Sequence, residues 1–173
     1  TTSVINIGAG LALKGKKVLL VDTDNQSHLS RFLGYDGTDG NPTISELIFQ
    51  TVSRVMKPVS EAIRKSELGV DYIPSNFMLA GIISILGTDS DSTGVFSRLF
   101  SDGTFDNYDY IIIDSVQLDI VADATITNRV VDATFFIIRE NTSDRRILME
   151  LEEFYKQQKL KNMSIILNGY KIR

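Results

Sequence analysis

The sequence predicts an α/β protein with a doubly wound, mainly parallel sheet carrying helices on both faces. Three observations predict it. Strand-like apolar runs alternate with helical patterns, several runs are continuously apolar as doubly covered strands require, and two of them end in aspartate. Taken in order, residues 2–14 read as a helix, 17–22 (KVLLVD) as a strand, and 27–32 and 44–49 as helices with a turn-rich surface loop over 34–42 between them. A helix over 59–65, a strand over 70–73, a second surface loop over 87–94 and a helix over 93–100 follow. The third strand is 110–114 (YIIID), the fourth 133–138 (ATFFII) and the fifth 164–167, with helices over 122–129 and 144–159. Each helix rests on apolar spacing and flanking polar caps, and each strand on a short apolar run.

Composition narrows the function. The 173 residues, 43% hydrophobic, suffice for one sizeable core, so residues 1–173 read as a single domain without internal repeat or interdomain linker. No apolar run reaches the ~20 residues that span a bilayer and no basic leader precedes an apolar segment, which predicts a cytoplasmic protein. The absence of cysteine excludes disulfide and thiolate frameworks, and a single histidine, His28, excludes a histidine-rich metal site and reads as a surface or helix residue. A net charge of −4 offers no global basic field for nucleic acid.

The chemistry gathers at strand ends. The opening TTSVINIGAGLA reads as the second half of a phosphate-binding motif, with Thr1 at the hydroxyl position that ligates Mg²⁺ and the glycine-rich turn and lysine expected upstream. The strand within KKVLLVDTDNQ delivers Asp22 and Asp24 to its carboxyl end, where open α/β sheets bind ligands. The strand within YDYIIID delivers Asp114 in the Walker B manner, as a metal-supporting carboxylate. Strand-terminal aspartates also begin turns and cap helices. Two such strands after the Thr1-Thr2 helix favour the metal-phosphate reading.

On these residues the chain resembles the deviant-Walker P-loop ATPases, the group of the ParA/MinD partition proteins and the bacterial tyrosine kinases of capsule synthesis. TTSVINIGAGLALKGKKVLLVDTD resembles both branches. DTDNQSHLSRFLG with Gln26, NPTISELI and VDYIPSNFMLAG resemble the partition branch; Asn25 stands where that branch has proline. DSVQLDIVADA with Asp123, NRVVDATFFIIRENTSDRR and KLKNMSIILNG resemble the kinase branch. After Asp114, Ser115-Val116-Gln117 stands where both branches have Thr/Cys-Pro-Pro, and the loss of both prolines is expected to loosen the γ-phosphate switch. Such a junction fits a divergent natural member, an engineered chimera or a design.

The resemblance implies ATP and Mg²⁺ as ligands. Thr1 would ligate Mg²⁺ and Thr2 would lie near the α-phosphate at the helix N-terminus. Asp22 and Asp114 would support the metal directly or through water, Asp24 would position the attacking water or assist a tyrosine hydroxyl, and Asn168 would contact adenine. A loop asparagine satisfying local backbone groups is the plainer reading of Asn168. Implied partners are ATP/ADP, a second copy in a nucleotide-dependent homodimer, and a partner protein; DNA enters by resemblance only, against the charge. Three functions follow: a Mg²⁺-dependent ATPase switch in partitioning or positioning, a tyrosine-kinase catalytic domain, or an inactive or designed scaffold of the same fold. The kinase branch's tyrosine-rich tail is absent, so Tyr170 is no clear phosphoacceptor.

Other residues read structurally. Gly8 and Gly10 suit close packing of the first helix on the sheet, and Phe135-Phe136 suit the core. Arg139 reads as a surface ion pair, and Arg145-Arg146 with Lys156, Lys159 and Lys161 as solvated helix faces. In the family fold a strand precedes the phosphate loop in mid-sheet. Lacking it, the chain would forgo roughly 10 kcal/mol of burial, so the complete family fold is not expected from it unaided.

Overall fold

A computed structural model of the chain describes residues 1–55, 58–86, 94–115, 130–140 and 146–169. Two compact units divide it, Thr1–Gln117 and Leu118–Arg173.

The first unit is built on a strand with no exposed side. Val18–Thr23 (β1) is buried at all six positions, which requires cover on both faces. It pairs in parallel with Asp71–Ile73 (β3) on one edge and with Tyr110–Ser115 (β4) on the other. Arg64–Lys65 (β2) joins β3 antiparallel, giving the order β2-β3-β1-β4. The sheet is therefore mainly parallel, as expected.

Helix Thr2–Leu13 (α1) covers one face of that sheet. Val4, Ile5, Leu11 and Ala12 pack on a core cluster of Val18, Leu20, Val70 and Tyr72, with Ile112 of β4 beside them. Close approach depends on Gly8: a Cβ there would stand 2.8 Å from Leu20 Cδ2, whereas Gly10 faces nothing within 4 Å. Only Gly8 meets the close-packing expectation. The helix stops where Gly15 turns left-handed (φ +77°) and its amide bonds back to the Ala12 carbonyl. Leu29 and Leu33, on and just after helix His28–Phe32 (α2), complete the cluster; each full burial of this kind contributes about 1.5–3 kcal/mol.

Helix Ile44–Ser53 (α3) also contacts β1. Its start is specified locally by a capping box. The Thr43 hydroxyl oxygen accepts from the Ser45 amide (3.2 Å) and the Glu46 carboxylate accepts from the Thr43 amide (2.9 Å). Helices Leu79–Leu86 (α4) and Val95–Phe100 (α5) and the 3₁₀ turn Gly103–Asn107 complete the unit.

The expected helix over 59–65 is not formed. Val59–Ala62 makes a single 3₁₀ turn, Ile63 is extended, and β2 follows. Tertiary contacts override the helical spacing. A turn at Ser66–Gly69, closed by Ser66 N–H to Val70 C=O (3.0 Å), folds β2 onto β3, and extended Arg64 reaches Asp39 at 2.8 and 3.0 Å. The apolar run of α4 and the Asp102-capped 3₁₀ turn were not anticipated. The expected helix over 122–129 and most of the loop over 87–94 lie outside the described residues.

In the second unit, Phe135–Arg139 (β5) and Ser164–Asn168 (β6) pair in parallel, and helix Ile147–Lys156 (α6) buries Leu151. The core assignment of Phe135-Phe136 is corrected here: Phe135 is 59% exposed and Phe136 half-buried. Ile165 and Leu167 are exposed as well; in the first unit β4, at the edge of the sheet among the described residues, is covered less fully than its apolar sequence implied. Among the described residues no helix is long and apolar enough to cross a membrane.

Candidate functional site

The carboxyl ends of β1 and β4 place Asp22 and Asp114 as direct register partners. Strand alternation puts Asp22 on the same face as Val18 and Leu20, the face that α1 covers. The α1 start lies at the same end: the Thr1 nitrogen is 3.0 Å from Asp114 Oδ1. The Thr23 hydroxyl donates to the Asp114 carbonyl (2.8 Å), locking the two strand ends together.

The two buried carboxylates differ in how they are satisfied. Asp22, with no exposed surface, accepts from the Asp24 amide (3.0 Å), the Ser30 amide (2.9 Å) and the Ser30 hydroxyl (2.6 Å). Burial raises its pKa above the ordinary carboxylate value; the Ser30 and Asp24 bonds oppose the rise, and the neighbouring Asp114 charge adds to it. Asp114 keeps Oδ2 buried without a hydrogen-bond partner among the described residues. An unsatisfied buried acceptor costs about 1–3 kcal/mol.

Asp24 begins the turn beyond β1. Its Oδ1 accepts from the Gln26 amide (2.8 Å), its carbonyl from the Ser27 amide (3.0 Å), and Ser27 is left-handed at φ 54°. The side chain thus stabilises the turn where proline is missing at position 25. His28 is exposed at the start of α2.

A further polar network lies beyond β3. The Ser75 amide donates to Ser30 Oγ (2.8 Å), and the Ile44 amide to the Pro74 carbonyl (2.8 Å). Asn76 accepts from the Ser45 hydroxyl (2.8 Å) and donates to Glu46 (3.3 Å). Burial by itself would raise Glu46; bonds from Thr43, and then Asn76, outweigh it and hold the carboxyl below its ordinary value.

The structure thus brings Asp22, Asp114 and Thr1 to one end of the sheet and puts Asp24 on the turn that leaves it. Thr2 is the exposed first residue of α1. Asn168 ends β6 in the second unit, its Oδ1 accepting from the Gly169 amide (2.8 Å), and Arg139 ends β5 in register with it. Asp123, Val116, Gln117, Arg145 and Tyr170 lie outside the described residues, so of the kinase-like stretch DSVQLDIVADA only Asp114 and Ser115 are placed. Sequence reasoning missed Ser30, Ser75 and the Thr43–Glu46–Asn76 cluster as site-shaping groups. The Thr-x-x-Glu spacing at 43–46 was a usable signal; Ser30 carried none.

The donor set fits a hard divalent cation, with carboxylate oxygens and an orphaned buried Asp114 Oδ2. No group of three or more His, Cys, Asp or Glu able to hold a metal occurs among the described residues.

The AAA domain family model matches residues 1–129. The chromosome partitioning protein ParA of Caulobacter vibrioides is 34% identical over 116 residues, covering 66% of this chain and 42% of ParA. The sporulation initiation inhibitor protein Soj of Bacillus subtilis is also 34% identical over 116 residues, 66% of this chain and 43% of Soj. The chain thus spans about two fifths of these relatives. Cobyrinic acid a,c-diamide synthase from Mycobacterium smegmatis, solved with an ATP analog and magnesium, shares the fold with a TM-score of 0.73 at 24% identity, over 95% of this chain and 66% of the synthase.

Proposed function

The chain belongs to the AAA domain family, within the ParA/MinD-like P-loop ATPases, and from that membership we propose that it forms part of a Mg²⁺-dependent ATPase acting as a nucleotide switch in partitioning or positioning. The observation that carries the proposal is the pairing of Asp22 with Asp114 beside the start of α1, with Asp114 Oδ2 buried and without a hydrogen-bond partner among the described residues. Nucleotide binding is further supported by the ATP analog and magnesium held by the structurally similar synthase.

In this proposal Asp114 and Thr1 hold Mg²⁺, which would neutralise phosphate charge when bound. Asp22, its oxygens already engaged by three donors, acts through water and by shaping the turn. Asp24 orients the attacking water from that turn, and Thr2 stands at the α1 N-terminus, where amides favour an anion. Asn168 takes the adenine-contacting role implied by the resemblance. Nucleotide-dependent dimerisation and a partner protein belong to the same proposal.

The test uses the full-length protein and a fluorescent ATP analogue with and without magnesium. Binding should require the metal, and Asp114→Asn should abolish that requirement's benefit. Asp24→Asn should lower kcat about a hundredfold or more with little change in KM. Absence of magnesium-dependent nucleotide binding by the wild-type protein overturns the proposal.

A further inference from the structure

Ser30 is buried with no exposed surface, and both hydrogen-bonding capacities of its hydroxyl are used in opposite directions. Its proton goes to Asp22 Oδ2 (2.6 Å), and its oxygen accepts the Ser75 amide (2.8 Å). The backbone amide of the same residue donates to the same carboxylate oxygen (2.9 Å). Asp22 in turn accepts the Asp24 amide on its other oxygen (3.0 Å). One hydroxyl therefore ties the turn carrying Asp24 to the segment leaving β3.

That segment is itself anchored. The Pro74 carbonyl accepts the Ile44 amide, and Asn76 bonds to Ser45 and Glu46 in the first turn of α3. Through Ser30, the Asp24 turn is thus braced against a ten-residue helix rather than left to a five-residue one. We propose that Ser30 is a positioning residue: its hydroxyl couples Asp22 to the Pro74-Ser75-Asn76 segment and so fixes the turn that presents Asp24. The inference rests on the ATPase reading for the consequence in catalysis, but not for the coupling itself.

The chemistry is selective. A side chain here must donate to a carboxylate and accept from an amide within a sealed space. Threonine keeps both capacities; alanine keeps neither.

The test compares Ser30→Ala, Ser30→Thr and Thr51→Ala in the full-length protein. Thr51, also buried, bonds among the described residues within α3, to the Leu47 carbonyl (2.8 Å), and serves as a matched loss of a buried hydroxyl. Without nucleotide, Ser30→Ala should speed amide exchange at Ser75 about tenfold or more, while Thr51→Ala leaves that amide as in the wild type. With Mg²⁺ and ATP, Ser30→Ala should lower kcat about tenfold at nearly constant KM, and Ser30→Thr should restore most of it. Wild-type exchange at Ser75 in Ser30→Ala overturns the coupling. Equal kcat losses in Ser30→Ala and Thr51→Ala overturn the positioning role. A wild-type protein that neither binds nor hydrolyses ATP defeats the ATPase reading instead, and Ser75 exchange still decides whether Ser30 makes the link.

Discussion

Glu46 shows how one side chain in this network converts pH into stability. Its carboxylate takes bonds from the Thr43 amide and hydroxyl and from Asn76, and these hold its folded pKa below the ordinary 4.5 despite partial burial. A depressed carboxyl stabilises the fold in its charged form. The contribution is complete above about pH 4.5 and is lost as pH falls through the folded value. Glu46→Gln should therefore be less stable than wild type by about 1 kcal/mol at pH 7, with the difference closing at acidic pH, where the carboxyl is protonated in both folded and unfolded states. Urea unfolding at the two pH values checks this; a gap unchanged with pH would show that the charge plays no part. At this scale the sequence was legible where chemistry is local. Asp22, Asp24 and Asp114 stand out because each follows an apolar strand. Ser30 does not, because its bond to the Ser75 amide joins positions 45 apart, and no local pattern marks such a pair.

Elements were legible for the same physical reason: α1, β1 and β4 are marked by their own apolar spacing, and β1 carries its burial there as well. β2 does not, since Arg64 is extended by what it reaches. Its guanidinium donates to both Asp39 oxygens and to the Asn41, Pro42 and Ala62 carbonyls, with Tyr35 below at 5.5 Å. Lysine cannot reproduce that fork, so Arg64→Lys should cost about 1.5–3 kcal/mol by denaturant unfolding, and a loss no larger than that of a surface Lys65→Ala would refute the clamp. The glycines of α1 provide a contrast within one helix. Gly10→Ala meets empty space and should stabilise the protein by about 0.5–1 kcal/mol through helix propensity. Gly8→Ala would press on Leu20, which is fully buried, and overpacking of about 1–3 kcal/mol should cancel or exceed the same gain. Paired melting curves would separate them; equal stabilisation by both would mean α1 is not seated on Leu20.

At the scale of the molecule, the ligand decides between the switch and an inert scaffold of the same fold. The first unit already supplies a fully buried strand, two carboxylates in register and, among the described residues, an acceptor oxygen without a partner, and the buried carboxylates and that oxygen are a stability cost or neutral without a ligand. A ligand that binds only the folded state adds RT ln(1 + [L]/Kd), about 2.7 kcal/mol at a hundredfold excess over Kd. For a protein of this size or somewhat larger, that corresponds to a rise of about 5–10 °C in melting temperature. The full-length protein should show this shift with ATP and magnesium together, and lose most of it when EDTA removes the metal. Asp114→Asn should fill the orphaned position with a neutral group, leave the unliganded melting temperature the same or higher, and erase the magnesium-dependent part of the shift. An inert scaffold would melt at one temperature under every condition. Stabilisation by ATP that is indifferent to both magnesium and Asp114 would place the nucleotide elsewhere on the molecule.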